Sequence, residues 1–117
     1  MEAKSPIVVM LLLRSPEWTN YGVVIRLGLS FMAAGASVTL FVMDDAVLGL
    51  VPILGRGPES YPLFPLVQGG AKVLACQSTA EVRGVLRESL PPGVCFETQV
   101  QLGHLAGSAD LFLPFSG

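Results

Sequence analysis

The sequence predicts an α/β protein built in three layers, with a mainly parallel five-stranded sheet flanked by helices. Three observations lead there. Apolar runs without polar alternation recur at residues 7–13, 37–43 and 72–75, the pattern of strands covered on both faces. Stretches of helical periodicity separate these runs. Glycine and proline punctuate most of the junctions. Strands alternating with helices make βαβ units, whose crossovers are right-handed. A chain of 117 residues fits one domain, taken as 1–117, with room for a real core. No internal repeat or low-complexity segment interrupts it.

The elements follow in order. IVVMLLL at 7–13 is the first strand. Ser15-Pro16-Glu17 then reads as a helix start, with serine as cap, proline in the first turn and glutamate at the positive dipole end. A start capped by Thr19 or Asn20 fits equally. The helix runs from about Trp18 to Ala34, with Tyr21, Ile25, Gly28 and Met32 on one stripe and Thr19, Arg26 and Ser30 opposite. Leu27, Leu29 and Phe31 widen its apolar surface, and Gly35 ends it in a left-handed conformation. Residues 37–43 form the second strand. Asp44-Asp45 opens a short helical stretch at 46–50, and the proline- and glycine-rich segment 52–62 is a loop that can act as a flap. A short helix at 63–68 stops at Gly69-Gly70. The third strand spans 72–75, and the next helix spans 78–89 behind a Ser78-Thr79-Ala80-Glu81 capping box. Gly84 lies inside that helix, at a cost of about 1 kcal/mol relative to alanine. Pro91-Pro92-Gly93 turns the chain into a strand at 94–96, a helix at 98–109 and a closing strand at 111–115.

Composition excludes several classes of function. Hydrophobic residues make up 51% and charged residues only 14%, against roughly 25% charged in an average soluble domain. A small domain cannot hide that much apolar side chain alone, so the excess points to an oligomer with closed symmetry. The net charge of −2 and seven scattered basic residues provide no nucleic-acid footprint. Residues 27–43 carry no charge, yet fall short of a membrane span of about 20 residues. They break at Gly35-Ala36-Ser37 into helix, cap and strand, so no membrane insertion is expected. Lys4 and the short run at 7–13 do not make a secretory signal, and a cytoplasmic location is expected.

Cys76 is the leading candidate for chemistry. It stands where a buried strand gives way to a helix, the corner at which open α/β sheets bind ligands. A thiol near a helix N-terminus can ionise below its free pKa of about 8.5, although a free cysteine also serves as a small buried hydrophobe. Ser78 stands two residues on, at the expected helix start. Asp44 and Asp45 end the second strand, either as caps or as residues that shape the site. Cys95 is expected to be structural, and His104 a surface or packing residue. Arg83 and Arg87 share a solvated helix face. Two cysteines form no disulfide framework, and with one histidine they make no zinc site. No GxGxxG, GxxxxGK[ST] or G-x-S-x-G motif is present.

Two segments carry a resemblance. AAGASVTLFVMDDAV (33–47) and VLACQSTAEVRGV (73–85), followed by the terminal SADLFLPF, resemble the DsrE/DsrF/TusD-type sulfur-relay proteins over nearly the whole chain. The resemblance implies a small α/β domain with a parallel-type sheet, assembled as a trimer or hexamer. It also implies that the cysteine ending the strand in VLACQSTAEVRGV, which is Cys76, receives sulfane sulfur as a persulfide from a donor protein and passes it to an acceptor. Such a relay requires no metal or organic cofactor. The residues themselves leave two other readings open: a non-catalytic oligomeric binding or assembly module with a structural Cys76, and a redox-sensing thiol.

Overall fold

The computed structural model describes residues 5–116. Its sheet has five strands: β1 (Ile7–Leu12), β2 (Ser37–Val42), β3 (Lys72–Cys76), β4 (Val94–Glu97) and β5 (Leu111–Phe115). Their order is β4-β3-β2-β1-β5, and every neighbouring pair is parallel. Four helices connect them: α1 (Thr19–Ala33), α2 (Phe64–Gln68), α3 (Gln77–Val82) and α4 (Gln99–Ser108). Short 3₁₀ segments lie at Asp44–Leu50 and Arg87–Ser89. Lys4, with the N-terminal signal argument that used it, lies outside the described residues. The uncharged stretch 27–43 divides into the end of α1 and strand β2. Among the described residues no helix is long and apolar enough to cross a membrane.

The sheet presents two unequal faces. Val8, Met10, Leu12, Leu40, Val42, Val73 and Ala75 point to one side, where they pack with Tyr21 and Val24 of α1, Leu66 of α2 and Ala80 of α3. The other side holds a smaller cluster of Phe41, Leu74 and Cys76, covered by Leu102 and Leu105 of α4. Consecutive strand residues alternate between these sets, as the period of two requires. Apolar burial on both sides is why the strands read as unbroken hydrophobic runs. Among the described residues, α4 is the one helix that covers the second face, as the chain crosses from one edge of the sheet to the other.

Helix α1 starts near the later of the two sites expected from sequence. Trp18 is its N-cap and supplies no side-chain bond. The Ser15 hydroxyl donates to the Glu17 carboxylate at 2.5 Å, and the helix begins only at Thr19. The inward stripe is Tyr21, Val24 and Gly28, with Ile25 and Met32 packed beside it. Gly28 allows a close approach of helices: an added Cβ would lie 2.6 Å from Leu66 Cδ2. The Tyr21 hydroxyl donates to the Ala46 carbonyl at 2.9 Å, and burial pushes this phenol well above its ordinary range.

Three helices end in one way. In α1, the N–H groups of Gly35 and Ala36 donate to the carbonyls of Met32 and Phe31 at 3.0 and 2.9 Å. Gly70 and Ala71 repeat the pattern on Val67 and Leu66 after α2, and Gly84 and Val85 on Glu81 and Ala80 after α3. Each is a Schellman closure with glycine in the left-handed region, at φ of 95°, 102° and 77° respectively. The third corrects the helix expected at 78–89. Gly84 is its stop, not an interior residue, and α3 closes at Val82. The start also moves: Cys76 takes the cap position, so the Ser78–Glu81 capping box does not form. Gly84→Ala therefore tests the structure by its sign. A glycine inside a helix gains about 1 kcal/mol on becoming alanine, whereas one held left-handed loses about 1 kcal/mol. Urea unfolding is expected to show a loss.

Strand β5 is an edge strand that carries Pro114. The Phe115 carbonyl accepts from the Leu13 N–H, so alternation turns the Pro114 nitrogen away from β1. Proline is tolerated there because no ladder bond inside the sheet is lost.

Candidate functional site

Strands β3 and β4 are neighbours, with Cys76 paired to Glu97, but the helices that follow them leave in opposite directions. Helix α3 packs on the first face and α4 on the second. A crevice must open between two such helices, beyond the carboxyl ends of the strands, and this is where open α/β sheets bind ligands. A cleft of about 350 Å³ occupies that place. One wall is Cys76, Gln77, Ser78 and Glu81; the other is Glu97, Thr98, Gln99 and Val100.

Cys76 forms the floor. Its residue is only 1% exposed, yet it lines the open cleft, so its limited accessible surface faces a site with room for another molecule. The sulfur lies 3.4 Å from Ser78 Oγ, and Gln99 Nε2 donates to it at 3.6 Å. Burial pushes the thiol up, but the Ser78 and Thr79 hydroxyls, the Thr79 backbone N–H and the Gln99 amide outweigh it. Together they bring the thiol down from 9.0 to about 7. Neutral donors aimed at one atom favour its anionic form, so a large thiolate fraction exists near neutrality.

The expected site residues take distinct places. Ser78 is at the cleft, as a hydrogen-bond partner of the sulfur and the donor once the thiol ionises, and not as a helix cap. Asp44 and Asp45 line a separate pocket of about 300 Å³ with Arg14 and Arg83. Asp44 adopts φ 53°, and its backbone N–H donates to Thr79 Oγ1 at 3.0 Å. That bond occupies a lone pair of the Thr79 oxygen and leaves the hydroxyl proton for the sulfur. Asp45 holds the far end of α3 through an ion pair to Arg83 Nε at 2.9 Å. His104 is exposed on α4 and does not line the cleft.

Cys95 is exposed rather than packed, because β4 is an edge strand that α4 does not cover there. It pairs with Leu74, one pleat before the Cys76–Glu97 pair. Strand spacing and rise place its Cα roughly 8 Å from that of Cys76, beyond the reach of a disulfide in this geometry. The loop at 52–62 does not cover the thiol. Pro58, Glu59 and Tyr61 line a third pocket with Phe64, Val67 and Pro92, and buried Tyr61 and Leu63 tie the segment to the first face. Among the described residues no group of three His, Cys, Asp or Glu side chains is placed to hold a metal ion.

Thr79, Glu97 and Gln99 were not singled out from sequence. Thr79 is local, three residues past Cys76, and meets the sulfur because the helix starts at Cys76 and not at Ser78. Glu97 and Gln99 depend on β4 lying beside β3, which local pattern does not encode. Once that order is known, FETQ at 96–99 marks the chain's second approach to the sulfur.

The fold recurs in solved structures of low sequence identity. The ychN protein from E. coli aligns over 96% of this chain and 100% of its own, with a TM-score of 0.78 and 23% identity. MTH1491 from Methanobacterium thermoautotrophicum, a protein of unknown function, aligns over 96% and 100%, with a TM-score of 0.66 and 18% identity. BT1422 from Bacteroides thetaiotaomicron, a conserved protein of unknown function, aligns over 97% and 100%, with a TM-score of 0.71 and 16% identity. No protein-family model and no curated protein matches the sequence. These likenesses establish a shared fold.

Proposed function

We propose that this chain is a sulfur carrier of the relay type that its motifs resemble, holding sulfane sulfur as a persulfide on Cys76. The observation that carries this reading is a single thiol on the floor of an open cleft, with four neutral donors bringing it to about 7. Thiol exchange is favoured when the attacking thiol ionises near ambient pH. In the loading step the Cys76 thiolate attacks the outer sulfur of a donor persulfide. A new S–S bond forms, the donor's S–S bond breaks, and the donor leaves as a thiolate that takes up a proton. An acceptor thiolate then attacks the same outer sulfur and regenerates Cys76. Neither step involves net oxidation, and neither requires a metal or organic cofactor.

Donor and acceptor proteins must bring their sulfur to the cleft. Val100 lines its rim and is 70% exposed, while Val82 on α3 is 83% exposed. Such apolar side chains suit protein contact. We also propose a homo-oligomer, a trimer or hexamer, in which other exposed apolar residues, including Leu54 at 99%, become covered.

Mass spectrometry after exposure to a persulfide donor tests the carrier reading. The intact chain is expected to gain one sulfur atom, to keep that gain in Cys95→Ser and to lose it in Cys76→Ser. Absence of the gain at Cys76 refutes the proposal. The competing reading, an assembly module in which Cys76 is merely packed, draws on its 1% exposure. It requires a folded-state thiol that does not react.

A further inference from the structure

The thiolate in this cleft is stabilised by neutral groups alone, while the fixed charges around it are negative. Glu97 is paired with Cys76 across adjacent parallel strands, so both side chains leave the same face of the sheet. Glu81 lines the opposite wall. Among the described residues no lysine, arginine or histidine lines the cleft. Nearby cations are directed elsewhere: Arg83 bonds Asp45 and the Thr79 carbonyl, and Arg87 stacks over Phe96, which packs on the other face. Among the described residues neither Glu81 nor Glu97 has an ion-pair partner.

We infer that Glu97, assisted by Glu81, makes the Cys76 cleft select sulfur donors by charge. It slows reaction with anionic donors such as thiosulfate and favours persulfides on uncharged or positively charged carriers. The inference deepens the carrier reading and rests on it. An incoming anion meets the thiolate and two carboxylates with no countercharge, whereas a cation is drawn to the same atoms. Two unit charges roughly 6 Å apart in a water-like dielectric change a rate about three-fold. Repulsion of an anion and attraction of a cation together therefore separate them by about ten-fold.

The test uses the Cys95→Ser protein, so that Cys76 is the one thiol, and three symmetric disulfides of different charge. These are cystamine (cationic), hydroxyethyl disulfide (neutral) and dithiodipropionate (anionic). In each reaction the Cys76 thiolate attacks one sulfur, the S–S bond breaks, half the probe leaves as a thiolate and a mixed disulfide forms. Its rate of formation is followed by intact mass. Glu97→Gln, close in shape and without charge, is expected to lower the ratio of cystamine to dithiodipropionate rates by about ten-fold. Glu81→Gln lowers it less. Comparing proteins cancels the intrinsic reactivity of each probe and any change in thiolate fraction. Raising salt from about 0.01 to about 1 M shortens the Debye length from about 30 to about 3 Å, which should compress the ratio with no substitution at all. A ratio unmoved by both Glu97→Gln and salt, with hydroxyethyl disulfide still reacting, overturns charge selection and leaves the carrier reading standing. Failure of Cys76 to react even with the neutral probe overturns both.

Discussion

Gly49→Ala lowers the unfolding free energy by about 3 kcal/mol, the upper part of the usual range for overpacking a tight core. An added Cβ at Gly49 would coincide with the Tyr21 hydroxyl and overlap its ring. The ring has nowhere to go: Tyr21 is buried against the sheet, and its hydroxyl is fixed by the Ala46 carbonyl. Moving it would leave that carbonyl without its partner in a dry site, a further cost of about 1–3 kcal/mol. Backbone strain contributes nothing, because Gly49 is not among the residues of positive φ. A double-mutant cycle separates the cause. In a Tyr21→Leu background the Gly49→Ala penalty should shrink to well under half, since the two positions are in direct contact. Equal penalties in both backgrounds would reject the steric account.

Cys76 is expected to alkylate with a midpoint near pH 7, where an unperturbed thiol titrates closer to 9. Iodoacetamide rates on the Cys95→Ser protein should rise through neutrality and level off, and Gln99→Ala and Ser78→Ala should each move the midpoint upward. Stability carries the same signature. Between these two values the unfolded thiol holds its proton while the folded one has lost it, so unfolding free energy rises with pH across that window. The contribution is fully present above about 9 and is lost as pH falls through about 7, with a total on the order of 2 kcal/mol. Cys76→Ser should flatten the rise. A wild-type stability that falls over the same interval, or an alkylation rate still climbing at pH 9, would contradict the hydrogen-bond arrangement.

The strands and the thiol were legible in sequence for a common reason. Buried parallel strands leave unbroken apolar runs, and Cys76 closes one of them. Helix ends were legible where glycine coincided with the end of an apolar pattern, as at Gly35 and Gly70. Gly84 was misread because polar and apolar residues continue in plausible helical order beyond it. The left-handed turn is chosen there by contacts of Val85 with the core, which no local rule contains. The chemistry of the site was half legible: Ser78 is near in sequence, but Gln99 reaches the sulfur, and Glu97 the cleft, only through the β3–β4 pairing. The placing of the 52–62 loop was not legible, because Tyr61 anchors it on the face away from the cleft.

Pro114 bears on how copies of this chain can meet. A further strand laid along β5 would look for an amide hydrogen at Pro114 and find a pyrrolidine ring in its place. Continuous ribbons shared between molecules, and the fibrils that grow from them, are disfavoured from this side. At this edge, a second copy could dock only through side chains, an arrangement that can close into a finite particle.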